Sequence, residues 1–166
     1  MKHIQSKNTK SSLTGVKEGD SQPNAVDLRA GKIFKINNSG FRIDEEQKRH
    51  RGSELVVPSN VDGYWYLQPG HYEVIMENEI QVGPGEAGFV ITRSTLNRNA
   101  VFLTSGLYDS GYDGMMAAVM HVNCGVAVIK PGTRVGQYLM WDAEQLGAGY
   151  DGDYGHGKDH DKKYEE

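Results

Sequence analysis

The sequence predicts an all-β domain, a distorted jelly roll or β-barrel, with a flexible segment at each end. Short apolar runs recur at regular spacing over residues 64–141, as the strands of a compact barrel do. Pro-Gly pairs, which favour turns, separate several of these runs, at residues 69–70, 84–85 and 131–132. No long stretch has the period of an amphipathic helix, and 166 residues suit one domain with its own core.

The expected strands follow one another closely along the chain. Residues 25–29 and 31–36 begin the series. The others cover residues 64–67, 71–76, 79–82, 87–91, 100–103, 115–122, 126–129 and 135–141. One helical turn is expected at residues 94–97. The charged stretch at residues 44–51 is interpreted as a solvated loop, with a short exposed helix as the alternative.

The two ends differ in composition from this middle part. Residues 1–22 are polar and lack hydrophobic periodicity, so we expect a flexible segment that precedes a domain at residues 23–145. Residues 146–166 form a Gly-rich arm that cannot build a core of its own. Two interpretations of this arm stay open: a disordered tail, or a mobile arm that orders when a ligand binds.

Composition excludes several classes of function. A formal net charge of −4 argues against nucleic acid or a membrane surface as the main partner, because both attract clustered positive charge. A single cysteine, Cys124, forms no internal disulfide and leaves no CxxC pair for zinc. The chain shows neither the apolar core of a signal peptide nor a run long enough to span a bilayer, so we expect a cytoplasmic protein.

The most informative stretch is the glycine-punctuated hairpin at residues 106–114. Its glycines, Gly106 among them, permit backbone conformations that a side chain would forbid and let a ligand approach the main chain. Asp109 supplies a carboxylate that can orient a water or hold a sugar hydroxyl. Tyr112 supplies a ring that can pack against a sugar. The combination points to a small-molecule site, and to a nucleotide once the rest of the chain is considered.

A second group of residues suits phosphate. Arg93, Ser94, Thr95 and Arg98 follow a predicted strand, and hydroxyls, backbone amides and guanidinium groups at such a turn hold phosphate oxygens. An ordinary helix cap is the alternative. Gln137, after a Pro-Gly turn, can hydrogen-bond a phosphate or a base, although an ordinary hairpin explains it equally.

Two further features concern ion pairs and metals. Asp27 lies between apolar neighbours, and a buried carboxylate needs an arginine partner or a network near a metal. Both explanations of Asp27 stay open. His156 and His160, beside Asp159 and Asp161, could bind a metal, although solvated side chains of the arm explain them as well.

Taken in order, four segments resemble the dUTPase and dCTP deaminase superfamily. Residues 24–28 resemble its first motif, with the aspartate at Asp27, and residues 93–96 resemble its Arg-Ser-Ser motif, with Thr95 as the second hydroxyl. Residues 106–114 resemble the nucleoside-binding hairpin, with Tyr108 in place of an isoleucine, and residues 131–137 resemble the fourth motif. The resemblance covers roughly residues 25–141 and is nearest to the deaminase-type and archaeal dUTPase branch.

Deaminases of this superfamily use a glutamate shortly after the hairpin as general acid and base. Counted without a gap, that position is Val119, and residues 115–120 contain no carboxylate. The resemblance therefore implies a dUTP diphosphatase that releases dUMP and pyrophosphate. The alternatives are a dCTP deaminase, a bifunctional enzyme, or a relative that binds nucleotide without catalysis. Failing all of these, the chain would be a β-barrel oligomer with a flexible arm.

The resemblance also implies a mechanism and an assembly. Mg²⁺ would bridge the triphosphate, with Asp27 as an indirect contributor, and Asp109 would orient the water that attacks the α-phosphate. Ser94, Arg93 and Gln137 would hold phosphates, while Tyr112 packs under the deoxyribose. Homotrimers with shared sites are implied. Family dUTPases close the site with an arm that carries an arginine and a phenylalanine; no arginine follows Arg134 here, so Tyr154 and Lys158 are the expected substitutes.

Overall fold

Twelve β-strands and two short helices lie in residues 1–165, the part of the chain that this computed structural model describes. The first strands are β1 (Ser12–Leu13), β2 (Val26–Ile36), β3 (Arg42–Ile43), β4 (Lys48–Arg49), β5 (Ser53–Leu55), β6 (Trp65–Leu67) and β7 (Gly70–Gln81). They are followed by β8 (Glu86–Thr92), α1 (Ser94–Arg98), β9 (Val101–Thr104), β10 (Asp113–Val122), β11 (Ala127–Ile129), β12 (Arg134–Asp142) and α2 (Lys162–Glu165). Strands make up 43% of the chain and helices 5%, which confirms the all-β prediction.

The main sheet has eight strands, of which six follow the order β8-β12-β2-β7-β10-β9, while β1 pairs with β7 and β5 pairs with β2. Every pair is antiparallel. The sheet curls so that its two edge strands, β8 and β9, meet. Hydroxyl groups join these edges: Leu103 N donates to Thr92 Oγ1 at 2.7 Å, and Val90 N donates to Ser105 Oγ at 2.9 Å. The result is a barrel that is nearly closed.

Alternation of buried and half-exposed side chains along β10 and β12 builds the core. Side chains at every second position of these strands point inward, as the two-residue period of a strand requires. The largest of the fully buried apolar residues are Tyr138, Leu28, Ile33, Leu67, Ile80, Met116, Met120 and Met140.

Several predicted strands are longer than expected. Residues 25–29 and 31–36 belong to one strand, β2, because a register shift between Ala30 and Lys32 bends the strand without ending it. Likewise, residues 71–76 and 79–82 belong to β7 almost entirely. The helical turn expected at residues 94–97 is confirmed as α1. The charged stretch contributes β4 to a small hairpin with β3, so the helical alternative was wrong. Residues 44–50 are exposed, whereas Arg51 is half-buried.

The first residues of the chain lie against the barrel. Ile4 is buried, and Glu86 at the start of β8 holds this segment through Lys2, the amide of Lys10, and the amide and hydroxyl of Ser11. Burial alone would raise the pKa of Glu86, but these donors lower it to about 2. The division of the chain at residues 22 and 145, and the mobility expected of its ends, remain predictions.

Residues 1–165 contain no helix with the length and apolar character that crossing a membrane requires.

Candidate active site

The hairpin that precedes β10 is fixed by two buried tyrosines. Tyr112 OH donates to Met115 O at 2.8 Å, and its ring packs edge-on against Tyr108 at 5.1 Å between centroids. Tyr108 OH donates to Ala117 O and accepts from Ala117 N, both at 2.9 Å. β10 shifts its register against β7 between Met115 and Ala117, so Tyr108 pairs backbone groups at the irregularity. Burial raises the pKa of both phenols.

A cavity of about 610 Å³, here called the hairpin cavity, lies beside these tyrosines. This volume is in the range of small-molecule sites. Three residues expected to bind substrate contribute to its wall, namely Gly106, Tyr112 and Tyr154, and Val119 contributes as well. A Cβ at Gly106 would meet no atom within 4 Å, so the space beside this backbone is open.

Asp109 lies at the tip of the hairpin and is exposed. Its carboxylate has no hydrogen bond or ion pair with any of residues 1–165. The carboxylate does not contribute to the wall of the hairpin cavity. It is therefore available to groups from outside this chain, such as water, substrate or a second subunit.

The hairpin glycines bring the C-terminal segment, residues 146–165, close to the main chain. Gly111 has φ +88°, and a Cβ there would lie 3.0 Å from Tyr150 N; a Cβ at Gly114 would lie 2.6 Å from Gly155 Cα. Tyr150 N donates to Ser110 O at 2.8 Å. In this structure, the close approach expected for a ligand is made by the chain's own C-terminal segment.

Only part of the C-terminal segment reaches the hairpin cavity. The Tyr154 ring lies there, 4.8 Å from the His160 ring. Lys158 pairs with Asp151 at 3.2 Å and lines a second, carboxylate-rich space of about 710 Å³. Tyr154 and Tyr112 thus line the same cavity, and Lys158 lies outside it.

Glu73, which like Asp161 is a buried carboxylate in the wall of the hairpin cavity, was missed by sequence reasoning. It lies directly opposite Val119 in the pairing of β7 with β10. Arg51 Nη2 contacts it at 2.6 Å, Tyr164 OH donates to it at 2.9 Å, and Lys163 Nζ lies 3.3 Å away. Burial alone would raise the pKa of Glu73, but these donors and Ser53 lower it to about 2.

A second group, here called the phosphate cluster, consists of Asp27, Arg93, Arg134 and Gln137. The Asp27 carboxylate is fully buried. It accepts from Gln137 Nε2 at 2.9 Å and lies 3.3 Å from both Arg93 Nε and Arg134 Nη1. Both guanidinium groups remain partly exposed. Sequence reasoning missed Arg134, although its charge within residues 131–137 was a signal for it.

The helix α1 presents the other predicted phosphate ligands to solvent. Arg93 occupies the N-cap position, and no side-chain hydrogen bond caps the helix. The ordinary helix-cap explanation of Ser94 and Thr95 therefore does not apply. Both hydroxyl-bearing residues are exposed, as is Arg98 at the last position of α1. They border Arg93 and are accessible to an incoming anion.

The predicted site residues thus form two groups on one chain. Asp27, Arg93 and Gln137 belong to the phosphate cluster, and none of them lines the hairpin cavity. Gly106, Tyr112 and Tyr154 line that cavity. A nucleoside triphosphate needs both a base pocket and phosphate ligands, and on one chain the predicted residues for these two tasks lie in different places.

Both a family model and individual relatives match most of the chain. A family model described as dCTP deaminase-like matches residues 2–143. The chain is 31% identical over 148 residues to a probable deoxyuridine 5'-triphosphate nucleotidohydrolase of Aeropyrum pernix, covering 86% of this chain and 91% of that protein. It is 29% identical over 147 residues to the deoxyuridine 5'-triphosphate nucleotidohydrolase of Methanocaldococcus jannaschii, covering 88% and 94%.

Solved structures share the fold. A 2'-deoxycytidine 5'-triphosphate deaminase from Agrobacterium tumefaciens aligns with TM-score 0.61 at 16% identity, over 79% of this chain but only 43% of that one. The dUTPase of S. aureus phage phi11 aligns with TM-score 0.53 at 10% identity, over 89% of this chain and 98% of that one. At these identities the likeness concerns the fold alone, and it agrees with the barrel described above.

Proposed function

This chain belongs to the dCTP deaminase-like family, and we propose that within it the protein is a dUTP diphosphatase. The reaction joins water to the α-phosphorus of dUTP and breaks the bond from that phosphorus to the oxygen bridging to the β-phosphate. The products are dUMP, pyrophosphate and a proton. Archaeal relatives at about 30% identity that cover most of this chain carry the corresponding name, which supports this activity over others of the family.

The observation that carries the proposal is the pairing of Val119 with Glu73. Deamination requires a group that moves protons at the pyrimidine ring, and valine cannot do so. Glu73, the carboxylate facing Val119, is held ionised by Arg51 and Lys163, which lower its pKa to about 2. A carboxylate held in this way does not take up a proton near neutral pH. Hydrolysis at phosphorus does not depend on either residue.

Each group of the site has a part in the hydrolysis. The exposed, unpaired carboxylate of Asp109 orients and polarises the attacking water. Arg93 and Gln137 hold the phosphates, with Ser94 adding a hydroxyl. The rings of Tyr112 and Tyr154 enclose the nucleoside in the hairpin cavity.

Mg²⁺ is the cofactor we propose. In the described part of the chain, no group of three or more His, Cys, Asp or Glu side chains is arranged to bind a metal. These residues fit a Mg²⁺ ion that is held mainly by substrate phosphates and water, the usual arrangement for this metal at triphosphate sites. Asp27 is the carboxylate of the phosphate cluster, and it would act through water because Arg93 and Gln137 occupy its oxygens. When bound, the ion would neutralise part of the triphosphate charge.

A homotrimer with shared sites would unite the hairpin cavity of one subunit with the phosphate cluster of another. The outer face of β8 and β12 is a candidate interface, because it carries a half-buried apolar strip beside Gln137. Phe89 and Trp141 pack edge-on at 5.3 Å in this strip, and Ile91 and Leu139 extend it. A continuous apolar surface of this kind is typical of contact with another protein surface.

A panel of deoxynucleoside triphosphates with Mg²⁺ tests the proposal, with pyrophosphate and ammonia measured in the same reactions. Pyrophosphate from dUTP, lost in Asp109→Asn, and no ammonia from dCTP is the expected result. Ammonia from dCTP would overturn the assignment in favour of a deaminase. Tight nucleotide binding without either product would make the protein a non-catalytic relative.

A further inference from the structure

The chain forms a tight turn over residues 17–20, here called the N-terminal turn, ahead of β2. Its last residue, Asp20, is fully buried. Arg29 binds the Asp20 carboxylate with two parallel contacts, Nε at 2.9 Å and Nη2 at 2.6 Å, and Lys17 N donates to it at 2.9 Å. Burial alone would raise the pKa of Asp20, but Arg29 and the Lys17 amide lower it, so the pair stays charged.

The N-terminal turn touches the phosphate cluster through the carbonyl of Gly19. Gly19 has φ +81°, a left-handed conformation that favours glycine. Its oxygen accepts from Arg134 Nη1 at 2.8 Å and from Gln22 Nε2 at 3.0 Å. Arg134 Nη1 and Gln22 Nε2 also lie 3.3 Å each from Asp27 Oδ2. Asp27 N in turn donates to Asp20 O at 2.8 Å.

Arg29 links the turn to the start of β12 as well. While two of its nitrogens hold Asp20, Arg29 Nη1 donates to Gly132 O at 2.9 Å, in the turn that leads to Arg134. The backbone N of Arg29 donates to Asn78 Oδ1 at 3.1 Å, and Asn78 is itself fully buried. Arg29, which Asp20 holds, therefore fixes the backbone near Arg134 through Gly132 O. The Gly19 carbonyl, next to Asp20 in the same turn, fixes the Arg134 guanidinium group.

A buried ion pair is weak evidence for a role in stability, because desolvation offsets much of its attraction. The Asp20–Arg29 pair has a more specific consequence. It fixes the direction of the partly exposed Arg134 guanidinium and of the Asp27 carboxylate, because the Gly19 carbonyl accepts from Arg134 Nη1 and Gln22 Nε2 donates to Asp27 Oδ2. Phosphate recognition by arginine depends on such a fixed geometry.

We infer that the N-terminal turn is a positioning element of the phosphate cluster: Asp20, through Arg29 and the Gly19 carbonyl, holds Arg134 and Asp27 in place for the triphosphate chain of a nucleotide. This inference rests on the proposed function for the identity of its ligand. It assigns a role to a segment that lies outside the four family motifs. Asp20 and Gln22 act on the substrate only through their neighbours.

The test compares Asp20→Asn and Gln22→Ala with the wild type in the presence of Mg²⁺. Ser21→Ala is the matched control, because Ser21 is an exposed neighbour whose hydroxyl contacts Gln5 and not the cluster. Titration calorimetry measures the affinity for inorganic tripolyphosphate and, separately, for dUMP. Steady-state assays give KM and kcat for dUTP, and thermal melts report folding.

For Asp20→Asn we expect tripolyphosphate affinity to fall about tenfold and KM for dUTP to rise by a similar factor, since the charged hydrogen bonds with Arg29 that hold the N-terminal turn against Arg134 are weakened. Affinity for dUMP should stay within about twofold and kcat within about threefold of the wild type. An equal loss of affinity for both ligands, or a lower melting temperature with unchanged tripolyphosphate binding, would overturn the inference.

If Asp20→Asn does not fold, Gln22→Ala decides the question, because Gln22 is only partly buried and its loss leaves the ion pair intact. It should weaken tripolyphosphate binding by about threefold, and unchanged binding would refute a positioning role. If the wild-type protein binds tripolyphosphate but does not hydrolyse dUTP, the proposed function is wrong and the positioning role of the N-terminal turn is not affected. Wild-type protein that fails to bind tripolyphosphate would sink this inference.

Discussion

Val119 and Glu73 face each other directly across the pairing of β10 with β7. The first residue stands where deaminases of this family are expected to carry their glutamate. The second is a carboxylate in the wall of the hairpin cavity. Arg51 forms an ion pair with this carboxylate, and Tyr164 OH donates a hydrogen bond to it. Glu73, the carboxylate that is paired with Val119, is therefore not free to move protons.

The first prediction concerns deamination. Because Glu73 has its pKa lowered to about 2, it stays ionised from about pH 5 to about pH 9, and no ammonia should be released from dCTP in that range. A coupled ammonia assay with a known deaminase as positive control measures this. Release that rises and falls with pH in that window would show that another group moves the proton.

The second prediction concerns Asp109. Since its exposed carboxylate has no partner among residues 1–165, Asp109→Asn should leave the melting temperature and KM unchanged. The kcat for dUTP should fall by about 10²- to 10⁴-fold, the usual contribution of a positioned acid or base. Asp113→Asn, an exposed aspartate of the same hairpin, is the control and should retain activity. Equal losses in both variants would contradict the assignment.

The third prediction concerns Tyr108. Tyr108→Phe removes the hydroxyl that pairs Ala117 N and Ala117 O, so the free energy of unfolding should fall by roughly 1–3 kcal/mol. Urea denaturation measures the change. Tyr138→Phe is a matched control, because the Tyr138 hydroxyl is buried without a hydrogen-bond partner among the described residues. Its removal should be neutral or stabilising, and a loss equal to that of Tyr108→Phe would contradict the account.

The fourth prediction concerns acid stability. Glu86 has a folded-state pKa of about 2, below its ordinary value of 4.5, so its stabilising effect is complete above about pH 4.5 and is lost as the pH falls towards 2. The difference corresponds to roughly 3 kcal/mol. Urea titrations at a series of pH values should show a flatter dependence in Glu86→Gln, which is already destabilised at pH 7. Parallel curves for both proteins would exclude this role.

The fifth prediction tests the shared site. Asp109→Asn and Gln137→Ala should each be inactive alone, but mixed and reassembled trimers should recover about a quarter of wild-type activity, because that share of sites would combine an intact hairpin with an intact phosphate cluster. Reassembly of each variant with itself is the control. If mixing restores no activity although mixed trimers form, one chain supplies the whole site.

Local pattern accounts for most of the fold. Alternation identified the longer strands, and Pro-Gly turns identified several of their ends. The short strands β1, β3, β4 and β5 were missed, because two or three residues are too few to show a period. The merging of residues 25–29 and 31–36 into β2 was not predictable, because a register shift at residues 30–32 resembles a strand end in sequence. The role of Tyr108 was equally hidden, since its hydrogen bonds serve an irregularity in another strand.

The site was predictable only in part. Asp27, Arg93 and Gln137 were identified by motif, and they do meet. The partners of Glu73 come from far along the chain, with Tyr164 separated from it by 91 positions. A contact of that separation leaves no local pattern in the sequence, so only the folded chain brings Arg51 and the C-terminal segment to the hairpin cavity.

The most direct test of the proposed dUTP diphosphatase activity is hydrolysis of dUTP in ¹⁸O-labelled water with Mg²⁺, with the masses of both products measured by mass spectrometry. We expect one ¹⁸O atom in dUMP and none in pyrophosphate, because Asp109 directs water to the α-phosphorus. Label in pyrophosphate would place the attack at another phosphorus, and absence of both products would contradict the assignment as a dUTP diphosphatase.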